Sequence, residues 1–172
     1  MKALALRHTD VMELPIPGAD PWYVQPDDPA LSVMTDFRST ASITVSQSAP
    51  IDEALEHMRH TGVRCAFAID ESRRSVVGLV TAYDIMGEQP MRQMQAASMP
   101  RRDVLVWHLM RRPNDWTVLA YEDVARATVI EIERLFDELG VTHLPVMSTD
   151  EDGSRRLRGL LSAAKVRRLL RR

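Results

Sequence analysis

Thr81 and Asp84 are the residues whose types and spacing point most directly to chemistry. They lie in Gly78-Leu79-Val80-Thr81-Ala82-Tyr83-Asp84, where an apolar, glycine-bearing run turns into a helical stretch. A threonine that ends a strand and opens a helix sits beside N–H groups that have no intrahelical partner, a natural place for a phosphate. A carboxylate one turn into the helix can accept both hydroxyls of a ribose. Thr-x-x-Asp is equally a helix N-cap with an acidic residue well placed for the helix dipole, which needs no ligand. Both readings are open at this point.

A second stretch, Gly159-Leu160-Leu161-Ser162-Ala163-Ala164-Lys165, has the same form with one change. The hydroxyl is kept as Ser162, but Lys165 stands where the carboxylate would be, and a cation in the first helical turn opposes the dipole. A ribose is not expected to be held there in the same way. A site there is expected to be altered: an empty or degenerate one is favoured, the alternatives being an anion held at Lys165 or Lys165 itself occupying the space.

Other reactive side chains do not converge. Cys65 is the single cysteine, which excludes an intrachain disulfide and a cysteine-rich metal site and fits a reducing compartment. His57 and His60 share one helical face beside Arg59 without a third local ligand, so a solvated face is expected. His108 and His143 stand alone in apolar segments and read as core or interface residues. The sequence has no nucleophile elbow, Walker A loop, Ser-His-Asp order or GxGxxG. No enzymatic activity, required cofactor or metal is expected.

These residues must be positioned by elements that occur twice. An apolar segment ends in methionine at Leu31–Met34 and again at Val104–Met110, and a strand-like stretch follows each, Ser42–Val45 and Trp116–Leu119. Next come amphipathic helices. Ile51–His60 aligns Ile51, Ala54, Leu55 and Met58; Val129–Leu139 aligns Ile132, Leu135, Phe136 and Leu139, with Thr128 and Glu131 as a capping box. Both stop at Gly-Val, where glycine can take the left-handed cap. Cys65–Ile69 and His143–Met147 read as strands buried on both faces, followed across a charged turn by Val76–Val80 and Leu157–Leu161. Closing helices are expected from Tyr83 to about Gly87 and from Ala163 to about Arg172. Met34 and Met110, Gly62 and Gly140, and Gly78 and Gly159 stand 76, 78 and 81 positions apart. Such agreement marks an internal duplication, with a period too long for a solenoid.

The order strand–helix–strand–strand–helix, repeated, resembles the tandem CBS domain pair, or Bateman module. Gly62-Val63, Leu144-Pro145-Val146 and Gly78–Asp84 carry the resemblance, which covers roughly residues 29–172. It implies an α/β fold of two CBS-type β-α-β-β-α units packed about a pseudo-twofold axis with two clefts between them. The expected division is an irregular, proline-rich arm at 1–28, anchored through Trp22 and Tyr23, a first unit at 29–99 and a second at 100–172. The resemblance further implies that Leu79, Thr81 and Asp84 form one cleft with backbone groups near Trp116, Thr117, Val118, Val141 and His143, and that Arg64 supplies a cation to phosphate. By the same rule Thr44 would join Ser162 and Lys165 in the altered cleft. The ligands implied are AMP, ADP, ATP or S-adenosylmethionine, bound to regulate a separate partner.

Composition is consistent with this. The chain is 45% hydrophobic and 27% charged with net charge -2, so nothing global points to nucleic acid or an anionic membrane. No apolar run reaches the length of a signal core or a membrane span, and a cytoplasmic location is expected. The basic run Arg155, Arg156, Arg158, Lys165, Arg167, Arg168, Arg171 and Arg172 reads as the solvated face of a packed last helix. Met58, Met86, Met91 and Met94 are candidates for a homodimer surface. The sequence therefore reads as a stand-alone ligand-sensing module, the alternative being an interaction or oligomerisation module with vestigial clefts.

Overall fold

Periodic apolar faces and their caps set the helices that frame this fold. The computed structural model describes residues 22–170. After a short 3-10 turn at Ala30–Ser32, the first copy runs β1 (Thr35–Asp36), β2 (Thr44–Ser46), α1 (Ile51–His60), β3 (Cys65–Asp70), β4 (Ser75–Thr81) and α2 (Ala82–Met86). α3 (Gln89–Ala97) and α4 (Val106–Leu109) lead into β5 (Leu119–Ala120), α5 (Tyr121–Arg126), α6 (Val129–Leu139), β6 (His143–Thr149), β7 (Arg155–Ser162) and α7 (Ala163–Leu169). α1 buries Ile51, Ala54, Leu55 and Met58, the face its 3.6-residue period specifies. α6 opens on a capping box in which the Glu131 carboxylate accepts from the Thr128 N–H at 2.7 Å and its hydroxyl at 2.8 Å. Gly62 and Gly140 follow their helices at φ +72° and +62°, the left-handed region that a side chain would disfavour.

Two sheets result. The first has the order β2-β3-β4 and the second β1-β7-β6-β5. In each, a parallel pair (β2 with β3, β5 with β6) adjoins an antiparallel hairpin (β3–β4, β6–β7). The fourth strand of the second sheet, β1, comes from the first copy: Thr35 pairs with Leu160 and Asp36 with Gly159. The reciprocal contact is a bridge between Leu79 and Arg111, closed by two N–H···O=C bonds of 2.9 Å.

The leading segment of each copy is thus traded to the other. Ala30, Val33 and Met34 are buried with Phe136, Leu144, Leu161 and Val166 in the second core, while Val104, Val106 and Leu109 are buried with Ile51, Met58, Val80 and Ile85 in the first. Divisions at 29 and 100 follow the chain; in space each unit is completed by residues of the other. Between the sheets, Cys65, Phe67 and Leu79 meet Phe37, Trp116, Leu157 and Leu160. Phe67 stands edge-on to Phe37, ring centroids 5.6 Å apart, and 6.0 Å from Trp116.

Several expectations are corrected. The arm is anchored by Val24, which is buried and whose N–H bonds to the Leu169 carbonyl at 2.8 Å, whereas Trp22 and Tyr23 are exposed. Residues 1–21 of the arm, and Arg171 and Arg172, lie outside the described residues. Met58 is fully buried on α1 and offers no surface, and Met94 is packed against the first core; only Met86 and Met91 are exposed.

Candidate functional site

Two clefts lie between the units, one beside the loop after α1 and the other beside the loop after α6. They differ in size and charge.

The first cleft was expected at Thr81 and Asp84. Thr81 caps α2: its hydroxyl accepts from the Asp84 N–H at 3.2 Å, and Asp84 Oδ2 accepts from the Thr81 N–H at 2.9 Å and its hydroxyl at 2.7 Å. Both residues are buried, 3% and 6% exposed. The capping reading of Thr-x-x-Asp is what the local geometry realises. Asp84 Oδ1 faces the Arg111 guanidinium at 3.8 Å. Leu79, expected to lend its backbone to a ligand, has its N–H and carbonyl both joined to Arg111. The Trp116 indole N–H bonds to the Arg111 carbonyl at 2.9 Å and holds that segment in place. Leu79, Trp116, Thr117, Val141 and His143 do meet around one cavity, with Arg111, but it measures about 60 Å³. Small-molecule sites span about 300–1,000 Å³. Val118 is exposed and outside this wall.

The second cleft holds the space. A cavity of about 590 Å³ lies between the Gly62–Cys65 loop of the first unit and Ser162, Ala164, Lys165 and Arg168 of the second, with Phe37, Ile43 and Leu160 as its apolar wall. Arg64 lines this cavity and not the small one, and it also lines the groove between α1 and α2. Thr44 lies on β2 outside the lining, and its neighbour Ile43 takes that place. The register explains the difference in size. Thr35 pairs with Leu160 as Arg111 pairs with Leu79, so a short side chain occupies on this side the position that Arg111 fills on the other.

Charge separates the clefts further. Arg64, Lys165 and Arg168 bring three cations to the large cavity, and no acidic side chain lines it among the described residues. His143, on the wall of both cavities, is held neutral: burial pushes its imidazole down to about 4, the nearby Asp84 opposes this and Arg111 reinforces it. Cys65 also faces the large cavity, and burial, with the Asp84 charge adding to it, pushes its thiol up to about 12. The Arg64 guanidinium donates to the Tyr83 hydroxyl at 3.0 Å. With five N–H donors in its fork, it keeps others for an anion.

Arg111 and Arg168 carry weight that sequence reasoning missed. Arg168 follows Lys165 by three residues on one helix, a spacing that puts them on one face. Arg111 follows Met110 as Thr35 follows Met34, a signal already present in the duplication. Of the remaining basic run, Arg156 pairs with Asp150, Arg158 with Asp36, and Arg167 with Asp137 at 2.6 Å. Arg158 also lies over the Tyr121 ring, 4.9 Å from its centroid. No described helix is long and apolar enough to cross a membrane, and the described residues contain no group of three or more potential metal ligands.

Comparison with known proteins agrees with the fold. The family model for the CBS domain matches residues 34–90 and 108–172. Among solved structures, CBSX2 in complex with AMP is 24% identical and covers 83% of this chain and 94% of its own, with a TM-score of 0.55. The structure of CBSX2 from Arabidopsis thaliana is 23% identical over 83% of this chain and 93% of its own, with a TM-score of 0.51. An uncharacterized conserved protein from Pyrococcus horikoshii is 20% identical over 82% of this chain and 90% of its own, with a TM-score of 0.55. No curated protein sequence matches the chain.

Proposed function

The chain belongs to the CBS domain family as a tandem pair, and from that premise we propose that it is a regulatory module that senses an adenine nucleotide in the cleft between Arg64 and Lys165. The observation that carries this reading is the cavity of about 590 Å³ lined by Arg64, Lys165 and Arg168 on one side and by Phe37, Ile43 and Leu160 on the other. Cations suit phosphate, and apolar walls suit a base. That a structural neighbour, CBSX2, is solved in complex with AMP supports an adenine nucleotide as the ligand. The cleft joins the two units, so a ligand that binds one relative arrangement better than another shifts their packing, and a separate partner reads the shift.

Calorimetric titration with AMP, ADP, ATP and S-adenosylmethionine tests this function. Binding of at least one, weakened in Lys165→Met and retained in Asp84→Ala, is expected. No binding by any of them overturns it.

An interaction module with vestigial clefts is the second reading, favoured by the first cleft being filled by Arg111 and Trp116. It predicts no nucleotide-induced thermal shift. The two readings share one surface, a groove of about 440 Å³ between α1 and α2 lined by Leu55, Ala82, Tyr83 and Met86. Tyr83, Met86 and, on α3, Met91 are exposed there or nearby. A homodimer through these helices is part of the proposal. Sedimentation at micromolar concentration is expected to show a dimer, and monomer alone contradicts it.

A further inference from the structure

Ribose recognition by a side chain calls for acceptors. A cis-diol presents two O–H donors, and an ionised carboxylate, which is acceptor-only, meets both at once. The large cleft has no such group among the described residues: its polar wall consists of the Thr35, Thr40 and Ser162 hydroxyls, the Cys65 thiol and the His143 imidazole, with Arg64, Lys165 and Arg168. The carboxylate that could have met a diol, Asp84, lies on the other side, where Thr81 and Arg111 occupy it.

Three cations facing one cavity attract negative charge in proportion to its amount. Arginine adds geometry, because its planar fork accommodates two oxygens of one phosphate, while lysine acts as a point charge. The cationic residues come from both units, Arg64 from the loop after α1 and Lys165 and Arg168 from α7, so a chain of phosphates long enough to reach between them is held at both ends. A volume of about 590 Å³ accommodates a base and several phosphates. A sulfonium centre would bring a fourth positive charge into the same space.

We infer that this cleft selects its ligand by phosphate charge and not by the ribose diol, taking nucleoside di- and triphosphates with or without a 2′-hydroxyl in preference to the monophosphate, and rejecting adenosine and cationic adenosyl compounds. This rests on the reading of the cleft as a nucleotide site, which it makes more specific.

Titration of the full chain with ATP, 2′-deoxy-ATP, AMP, adenosine, S-adenosylmethionine and inorganic tripolyphosphate tests the inference. The Kd values of ATP and 2′-deoxy-ATP are expected to agree within about threefold, with AMP weaker by about tenfold or more and no measurable binding of adenosine or S-adenosylmethionine. Lys165→Met and Arg64→Gln, each checked for an unchanged circular dichroism spectrum, should each weaken ATP by about fivefold or more. Arg64→Gln alters an exposed side chain and keeps the test available if Lys165→Met folds poorly. A loss of about tenfold or more for 2′-deoxy-ATP, or adenosine binding as tightly as ATP, overturns the inference and leaves the nucleotide site standing. Tripolyphosphate binding as tightly as ATP supports selection by charge and overturns the nucleotide reading. Absence of binding by every compound overturns both.

Discussion

Met110, from the leader of the second copy, lies directly over Gly78 on β4 of the first: a Cβ at Gly78 would stand 2.7 Å from Met110 Cγ. The twofold counterpart is Met34 over Gly159, where a Cβ would come within 2.6 Å of the Thr35 carbonyl oxygen as well as 2.9 Å from Met34 Sδ. Each glycine therefore makes room for the segment that its unit receives from the other. Gly78→Ala meets a side chain that can shift, whereas Gly159→Ala meets the backbone of a paired strand. Overpacking of this kind costs about 1–3 kcal/mol. Urea denaturation is expected to place Gly159→Ala near the top of that range and Gly78→Ala near the bottom. Equal stabilities would contradict this account of the exchange.

Asp84 is a structural residue in this geometry. Asp84→Ala leaves the buried Thr81 N–H and hydroxyl without their acceptor and removes the partner of Arg111. Loss of such a cap with its buried hydrogen bonds costs about 1–3 kcal/mol. The melting temperature should fall while nucleotide affinity, measured at a temperature where the variant is folded, changes little.

His143 makes stability depend on acidity. Its imidazole is lowered from the ordinary 6.5 to about 4 by burial, so the unfolded chain binds a proton there that the folded chain resists. Its contribution is present in full above pH 6.5 and is lost as the pH falls from there towards 4. The corresponding stability is on the order of 3 kcal/mol at most. Urea midpoints measured from pH 7.5 down to 4.5 should decline for the wild type, and His143→Gln should show a flatter profile. Parallel profiles would remove His143 as the cause.

Cys65 faces the large cavity, yet its thiol, held up at about 12, supplies almost no thiolate at pH 8. An aromatic disulfide reagent should label the native chain far more slowly than the chain in urea. Comparable rates in the two states would mean that the thiolate is stabilised in the fold.

What was legible in the sequence was what local patterning specifies. Ile51–His60 and Val129–Leu139 each carry a full apolar face and a closing glycine, the second also a capping box, and α1 and α6 span those residues. α3 and α5 were not expected. α3 buries only Pro90 and α5 only Val124, so neither carries an apolar stripe long enough to register as a period. The duplication was visible in Met34, Met110, Gly78 and Gly159, but their crosswise packing was not, because it joins residues far apart in the chain, Met110 with Gly78 and Met34 with Gly159. The site was half legible for the same reason. Lys165 was recognised as a departure from the pattern at Asp84, while the space beside it depends on Thr35 standing where the first cleft has Arg111.

A crystal structure of the full chain grown with ATP tests the nucleotide site most directly. The expected result is ligand density in the large cleft, with phosphates against Arg64 and Lys165 and the base between Ile43 and Leu160. Density in the first cleft, with a ribose on Asp84 and Arg111 displaced, would contradict it.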